Sequence, residues 1–253
     1  MDSTNYNKYR VLTVWLNAIA PSDVIKKIDE WIITGRHTYV LACSVNDIIS
    51  AYDSSQLTTV INNADLAVPD GMPLVWIGRL HKQNAHRVYG PDLMLKMCEH
   101  SQNKGYRHFF YGSTSEVLNN LIENLQSRFP RITIAGSFSP PFRELSEEEK
   151  YNITEMINSA KPDIVWVGLG SPKQDLWAGE FRNRLNVPVI ITVGAAFDFI
   201  AGRIPQAPRW MGKCGLEWAF RLATEPRRLW RRYLIGNSRF IFLIVRQLLS
   251  GKA

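Results

Sequence analysis

The chain alternates short apolar runs with longer amphipathic ones along most of its length. Strand-like runs occupy 11–16, 38–42, 66–68, 108–111, 132–135, 164–167 and 189–192. Helix-like segments fall near 22–34, 54–63, 72–80, 91–103, 115–129, 146–160 and 172–185. Two helix starts are marked: Ser146 precedes Glu147, Glu148 and Glu149 in a capping-box pattern, and Pro91 suits a first helical position. Strands alternating with helices of this length make βαβ units and a mostly parallel sheet. The expected fold is therefore α/β, a Rossmann-like sheet with helices on both faces. Ligands in such sheets bind beyond the carboxyl ends of the strands.

The pattern breaks near 201–208, where Gly202, Pro205 and Pro208 cluster. Residues 203–253 carry 11 Lys+Arg and 2 Asp+Glu, a balance of +9 in a chain of +7, so residues 1–202 sum to −2. We expect an α/β catalytic domain over 1–202 and a basic amphipathic helical appendage over 203–253. The appendage interleaves its charge with Trp210, Trp218, Leu229 and Trp230. Such a strip suits an anionic, partly greasy partner: a membrane surface, a lipid diphosphate or nucleic acid. No nucleic-acid module is recognisable in the body, so nucleic acid is not expected. Arg221, Arg228 and Arg231 are spaced to share a helical face, although Pro226 divides them between two helices. A solvated basic helix packed on the body is the plainer reading of the same residues.

Four stretches following strands, or close after one, could carry chemistry. Asp70, in Val68-Pro69-Asp70-Gly71, has no basic residue within eight positions on either side. It is either a turn residue or a general base placed for a substrate hydroxyl. Gly168-Leu169-Gly170-Ser171-Pro172-Lys173-Gln174 lets backbone approach a phosphate at a helix start. It lacks the third glycine of a dinucleotide fingerprint. Ser44 and Asn46 either cap a helix or bind a ligand. Arg87, in Arg87-Val88-Tyr89-Gly90-Pro91-Asp92, is either a phosphate ligand or a solvated charge.

Other chemistries find no residues. There is no Asp-x-Asp, no His-x-His or His-Glu-x-x-His, no P-loop and no Gly-x-Ser-x-Gly. No metal ligands or cofactor are expected. A diphosphate leaving group would have to be met by arginines and helix N-termini. Cys43, Cys98 and Cys214 lack metal or disulfide spacing and read as reduced thiols of a cytosolic protein. Lys8, Arg10 and the apolar residues after them imitate a signal peptide faintly, but Thr13 and Asn17 interrupt the run and a first strand fits better. The longest apolar run near the C-terminus, Phe240 to Val245, is far below the roughly 20 residues a spanning helix needs. Membrane contact is expected to be peripheral.

Together these stretches resemble the WecG/TagA/CpsF family, glycosyltransferase family 26. The resemblance runs from about Val11 to Phe240. It rests on Ala64-Asp65-Leu66-Ala67-Val68-Pro69-Asp70-Gly71, the Gly168–Gln174 stretch, Gly194-Ala195-Ala196-Phe197-Asp198-Phe199, Ala207-Pro208-Arg209-Trp210-Met211 and Gly215-Leu216-Glu217-Trp218. It implies an inverting, metal-independent transferase that moves a sugar from a UDP-sugar to a polyprenyl-diphosphate-linked saccharide at the cytoplasmic membrane face, for a cell-surface polysaccharide. It implies Asp70 as the base, Ser44 and Asn46 in place of a Thr-x-Asn substrate motif, and Gln174 as a substrate residue. Arg221, Arg228 and Arg231 match its C-terminal arginines, with neighbouring arginines able to take the last positions. The sugar and the finished polymer are not readable from the sequence. Pairing with a second copy is another cover for the appendage's apolar face.

Two other classes fit parts of the pattern. A nicotinamide-dependent oxidoreductase would need an acidic ribose-binding residue near 189–192, where none stands. A non-catalytic membrane scaffold gives no reason for Asp70, Asn46 and Gln174 to stand in loops after strands.

Overall fold

The computed structural model describes residues 6–250. A hairpin opens the chain: β1 (Lys8–Val11) pairs antiparallel with β2 (Val14–Asn17). The single strand expected over 11–16 is thus two, because Leu12 adopts a positive φ of 55° and reverses the chain before Val14. The body follows as α1 (Pro21–Thr34), β3 (Thr38–Cys43), α2 (Val45–Asp53), α3 (Ser55–Asn62), β4 (Leu66–Pro69) and α4 (Met72–Leu80). It continues as α5 (Gly90–Ser101), β5 (Arg107–Gly112), α6 (Ser115–Arg128), β6 (Thr133–Phe138), α7 (Glu147–Ala160), β7 (Ile164–Gly168), α8 (Lys173–Phe181), β8 (Val189–Thr192) and α9 (Ala196–Ile200). Last come α10 (Arg209–Lys213), α11 (Glu217–Thr224), α12 (Pro226–Trp230), a π-helical stretch Arg231–Gly236 and α13 (Asn237–Leu249).

The expected α/β architecture is present. Six strands form one parallel sheet in the order β4-β3-β8-β7-β5-β6. Every residue of β3 and β8 is buried, as are all but the first of β5 and the last of β7. Strands buried on both faces need helices on both faces. Only β6, at the edge, is half-buried throughout. The capping box expected at α7 forms: Ser146 N donates to Glu149 Oε2 at 2.9 Å and Glu149 N to Ser146 Oγ at 3.2 Å. Helix α2 is signalled in the sequence only by the capping candidates Ser44 and Asn46 at its start, since Asn46, Asp47 and Ser50 are weak helix formers; Ser44 is its N-cap.

The chain divides into two compact units. One comprises 1–21, 42–89 and 205–253; the other comprises 22–41 and 90–204. In the first unit Tyr9, Val11, Leu16, Ile48, Leu74 and Val75 are buried, and so are Leu229, Phe240, Leu243 and Ile244 from the C-terminal helices. Arg239 grips Asp53 of α2 with two hydrogen bonds of 2.5 and 2.6 Å. Leu12 N donates to Gln247 Oε1 at 2.8 Å. The C-terminal segment is therefore built into this unit's core. In the second unit the core holds Phe109, Phe110, Trp166, Phe181 and Phe197. There Trp166 Nε1 donates to His108 Nδ1 at 2.9 Å, satisfying a buried indole.

Candidate active site

In the first unit, Asp70 stands where β4 ends, one residue before the Gly71 cap of α4. Its amide donates to the Cys43 carbonyl at the end of β3, at 2.8 Å. This is the strand-end position at which α/β sheets bind ligands. The segment after α4 folds back over it, with Val88 N donating to the Pro69 carbonyl at 2.9 Å. Arg87 Nε donates to the Asp70 main-chain oxygen at 2.5 Å, and Arg87 Nη2 to Glu217 Oε2 at 2.5 Å. The Tyr89 hydroxyl donates to Glu217 Oε1 at 3.0 Å and accepts from Gln206 Nε2 at 3.2 Å. The Arg87 guanidinium lies 4.1 Å from the Tyr89 ring centroid, a cation–π distance.

These charges set one another. Burial works against the Arg87 charge, but Asp70 and Glu217 outweigh it and hold the guanidinium more firmly protonated than usual. Burial, then Glu217 and Asp70, push the Tyr89 hydroxyl well above the ordinary phenol range, so it keeps its proton and donates. The sequence alone leaves Arg87 as a phosphate ligand or a solvated charge. The structure brings it against the Asp70 main chain and Glu217, and adds Glu217 and Tyr89 to the cluster. The available signal is that Glu217 is one of only two acids in the strongly basic 203–253 stretch.

Ser44 stands at the N-cap of α2. Its amide and hydroxyl both donate to Asp47 Oδ2, at 2.7 and 2.8 Å, and its oxygen accepts from Arg232 Nη2 at 3.2 Å. Asn46 lies half-buried in the first turn of the same helix. The arginine that reaches this loop is Arg232. Arg231, its exposed neighbour, has its guanidinium 5.2 Å from the Trp230 ring. Arg221, nearly buried, lies 3.7 Å from Glu225, the residue between α11 and α12. Arg228 makes two hydrogen bonds to Glu225, at 2.8 and 2.6 Å. Both acids of the basic segment are thus engaged by arginines.

The second unit holds the glycine loop. Gly168 ends β7 against the Phe197 ring; a Cβ there would fall 2.6 Å from Phe197 Cδ2. Gly170 takes a left-handed φ of 77° with open space where a Cβ would sit. Gln174, buried in the first turn of α8, accepts from the Gly194 amide at 3.0 Å. Beside it Thr192 Oγ1 donates to Asp175 Oδ1 at 3.1 Å, both side chains buried. Gln174 therefore ties the loop after β7 to the loop after β8.

Comparison with known proteins bears on what this geometry serves. A family model described as "Glycosyl transferase WecG/TagA/CpsF family" matches residues 9–253. Among similar proteins, an N-acetylglucosaminyldiphosphoundecaprenol N-acetyl-beta-D-mannosaminyltransferase of Bacillus spizizenii is 31% identical over 185 residues, 73% of this chain and 70% of the relative. A protein of the same name from Bacillus subtilis is 30% identical over 176 residues, 69% of this chain and 66% of the relative. One from Staphylococcus aureus is 31% identical over 173 residues, 68% of this chain and 66% of the relative. The matched stretches thus span about two thirds of each relative's length. The chain belongs to the WecG/TagA/CpsF family of glycosyltransferases.

Proposed function

We propose that the chain transfers a sugar from a UDP-sugar to a polyprenyl-diphosphate-linked saccharide in the assembly of a bacterial cell-surface polymer, with inversion at the anomeric carbon. The relatives' names specify an N-acetylglucosaminyl-diphosphoundecaprenol acceptor and an N-acetylmannosamine donor group, and these are the first substrates to try. Asp70 is the general base: its carboxylate takes the proton of the acceptor hydroxyl, which attacks the anomeric carbon from the face opposite UDP. UDP departs with the electrons of the cleaved glycosidic bond. The observation that carries this reading is the placement of Asp70 at a strand end, with its main chain gripped by the ion-paired Arg87.

Gly168 and Gly170 offer close backbone approach to the donor diphosphate, and Gln174 holds that loop. Ser44 and Asn46 take substrate hydroxyls. Arg221, Arg228 and Arg231 meet the diphosphate of the lipid or the leaving group. In this reading residues 203–253 work as a lipid-facing appendage. Ile235, Ile241, Phe242, Val245 and Leu249 are exposed among its arginines, a composition that suits the inner face of the cell membrane. Among the described residues no helix is long and apolar enough to cross a membrane.

The test is release of UDP from a panel of UDP-sugars in EDTA, with and without a polyprenyl-diphosphate-N-acetylglucosamine analogue. Release that requires the acceptor, with one donor preferred and product of inverted configuration, supports the proposal. Release that requires added divalent metal, or product of retained configuration, contradicts it.

A further inference from the structure

Arg87 is enclosed by protein on several sides. Its Nε serves the Asp70 carbonyl, its Nη2 serves Glu217, and one face of its guanidinium lies on Tyr89. At Gly212, in α10, a Cβ would fall only 2.8 Å from Arg87 Nη1, so main chain presses on a further edge. Both members of the Arg87–Glu217 pair are less than one fifth exposed. A guanidinium that binds phosphate presents a free pair of N–H groups. The geometry of Arg87 is that of a strut.

The strut brings a positive charge close to the Asp70 carboxylate, close enough that each influences the other. A lone cation there would favour the ionised carboxylate and weaken it as a base. Glu217 answers that charge through its ion pair with Arg87 Nη2. Tyr89 fixes Glu217 in turn, and Gln206 donates to the Tyr89 hydroxyl. Among the titratable groups near Asp70 are Arg87 and Tyr89 on the returning segment, with Glu217 on α11 beyond Arg87 and the Cys43 main chain at the end of β3. Helix α4 brings none in its first turns, from Met72 to Gly78.

We propose that Glu217, through its ion pair with Arg87, is a positioning residue that holds the Asp70 turn in place and keeps the Asp70 carboxylate basic. This rests on the reading of Asp70 as the base. The basic 203–253 segment then has a second role, because it delivers the acid that completes the site.

The test is an NMR titration of the Asp70 carboxyl carbon in full-length protein labelled with 13C-aspartate, with the signal assigned by its loss in Asp70→Asn. Glu217→Gln is expected to move the Asp70 midpoint to lower pH, because Arg87 is left uncompensated. Arg87→Gln is expected to move it to higher pH, because Glu217 is left uncompensated. The double variant is expected to return toward wild type. Midpoints that do not move, or that move the same way in both single variants, overturn the proposal. If Glu217→Gln does not fold, Glu217→Asp carries the test, since its shorter carboxylate lies farther from Arg87; an unmoved midpoint there overturns the proposal equally. The titration needs no turnover, so a protein that transfers no sugar would defeat the functional reading and leave this result standing. In an active enzyme, Glu217→Gln is expected to lower kcat about tenfold with little change in the donor KM.

Discussion

Arg87 donates from Nε to the main-chain oxygen of Asp70 at 2.5 Å, so the residue that follows β4 is held by a side chain 17 positions later. The same guanidinium reaches Glu217, 130 positions further on. A turn that sequence alone leaves free to be a plain Pro-Asp-Gly corner is thereby tied through Arg87 to the start of α11.

The glycine-rich strand ends should tolerate no side chain. At Gly168 an alanine Cβ would lie 2.6–2.8 Å from the buried Phe197 ring, so Gly168→Ala should cost about 1–3 kcal/mol through overpacking. Gly112 is stricter. Its φ is 127° and its Cβ would meet the Gly168 carbonyl carbon and oxygen at 2.6 Å. Backbone cannot swing away as a ring can, and the dihedral adds strain of about 1–3 kcal/mol. Thermal unfolding should therefore show Gly112→Ala below Gly168→Ala, and both below wild type.

Stability should fall in mild acid because of His108. Its ring is fully buried against Trp166, and burial lowers its pKa from 6.5 to about 4. Between those values the unfolded chain takes up a proton that the folded chain refuses. The stabilisation is therefore complete above pH 6.5 and is lost as pH falls toward 4. The contribution is on the order of 3 kcal/mol across that window. Urea unfolding at about pH 7.5 and about pH 4.5 should show the decline, and His108→Gln should reduce the dependence on pH, whatever it costs at neutral pH.

How much of this is legible in the sequence depends on how local each signal is. The sheet strands announce themselves because burial on both faces leaves continuous apolar runs such as Val189–Thr192. The hairpin at 8–17 does not, because a single positive-φ Leu12 inside an apolar run carries no local mark. Ser44 and Asp70 are readable as positions at strand ends. Their partners are not: Arg232 meets Ser44 across 188 positions and Glu217 meets Arg87 across 130. Adjacent arginines look alike in sequence, and only packing separates Arg232, which turns inward, from Arg231 beside Trp230.

Binding to anionic vesicles should depend on salt. Polybasic attraction to such a surface contributes about 1 kcal/mol per residue near it and is screened over about 10 Å at 0.1 M salt. Sedimentation with vesicles containing an anionic phospholipid should show binding that falls from about 50 mM to about 500 mM NaCl. Replacing Ile241, Phe242 and Leu249 with serine should weaken it at every salt concentration. Binding that is indifferent to both changes would leave the segment as a structural part of its unit.

The central claim is that Asp70 takes the proton of the acceptor hydroxyl, and the direct measurement is acceptor-dependent UDP release by wild type and Asp70→Asn with the preferred donor. The amide preserves shape but cannot accept that proton, so turnover should fall about 10²–10⁴-fold while calorimetry shows the donor still binding. An Asp70→Asn enzyme that keeps near-normal turnover would contradict the account.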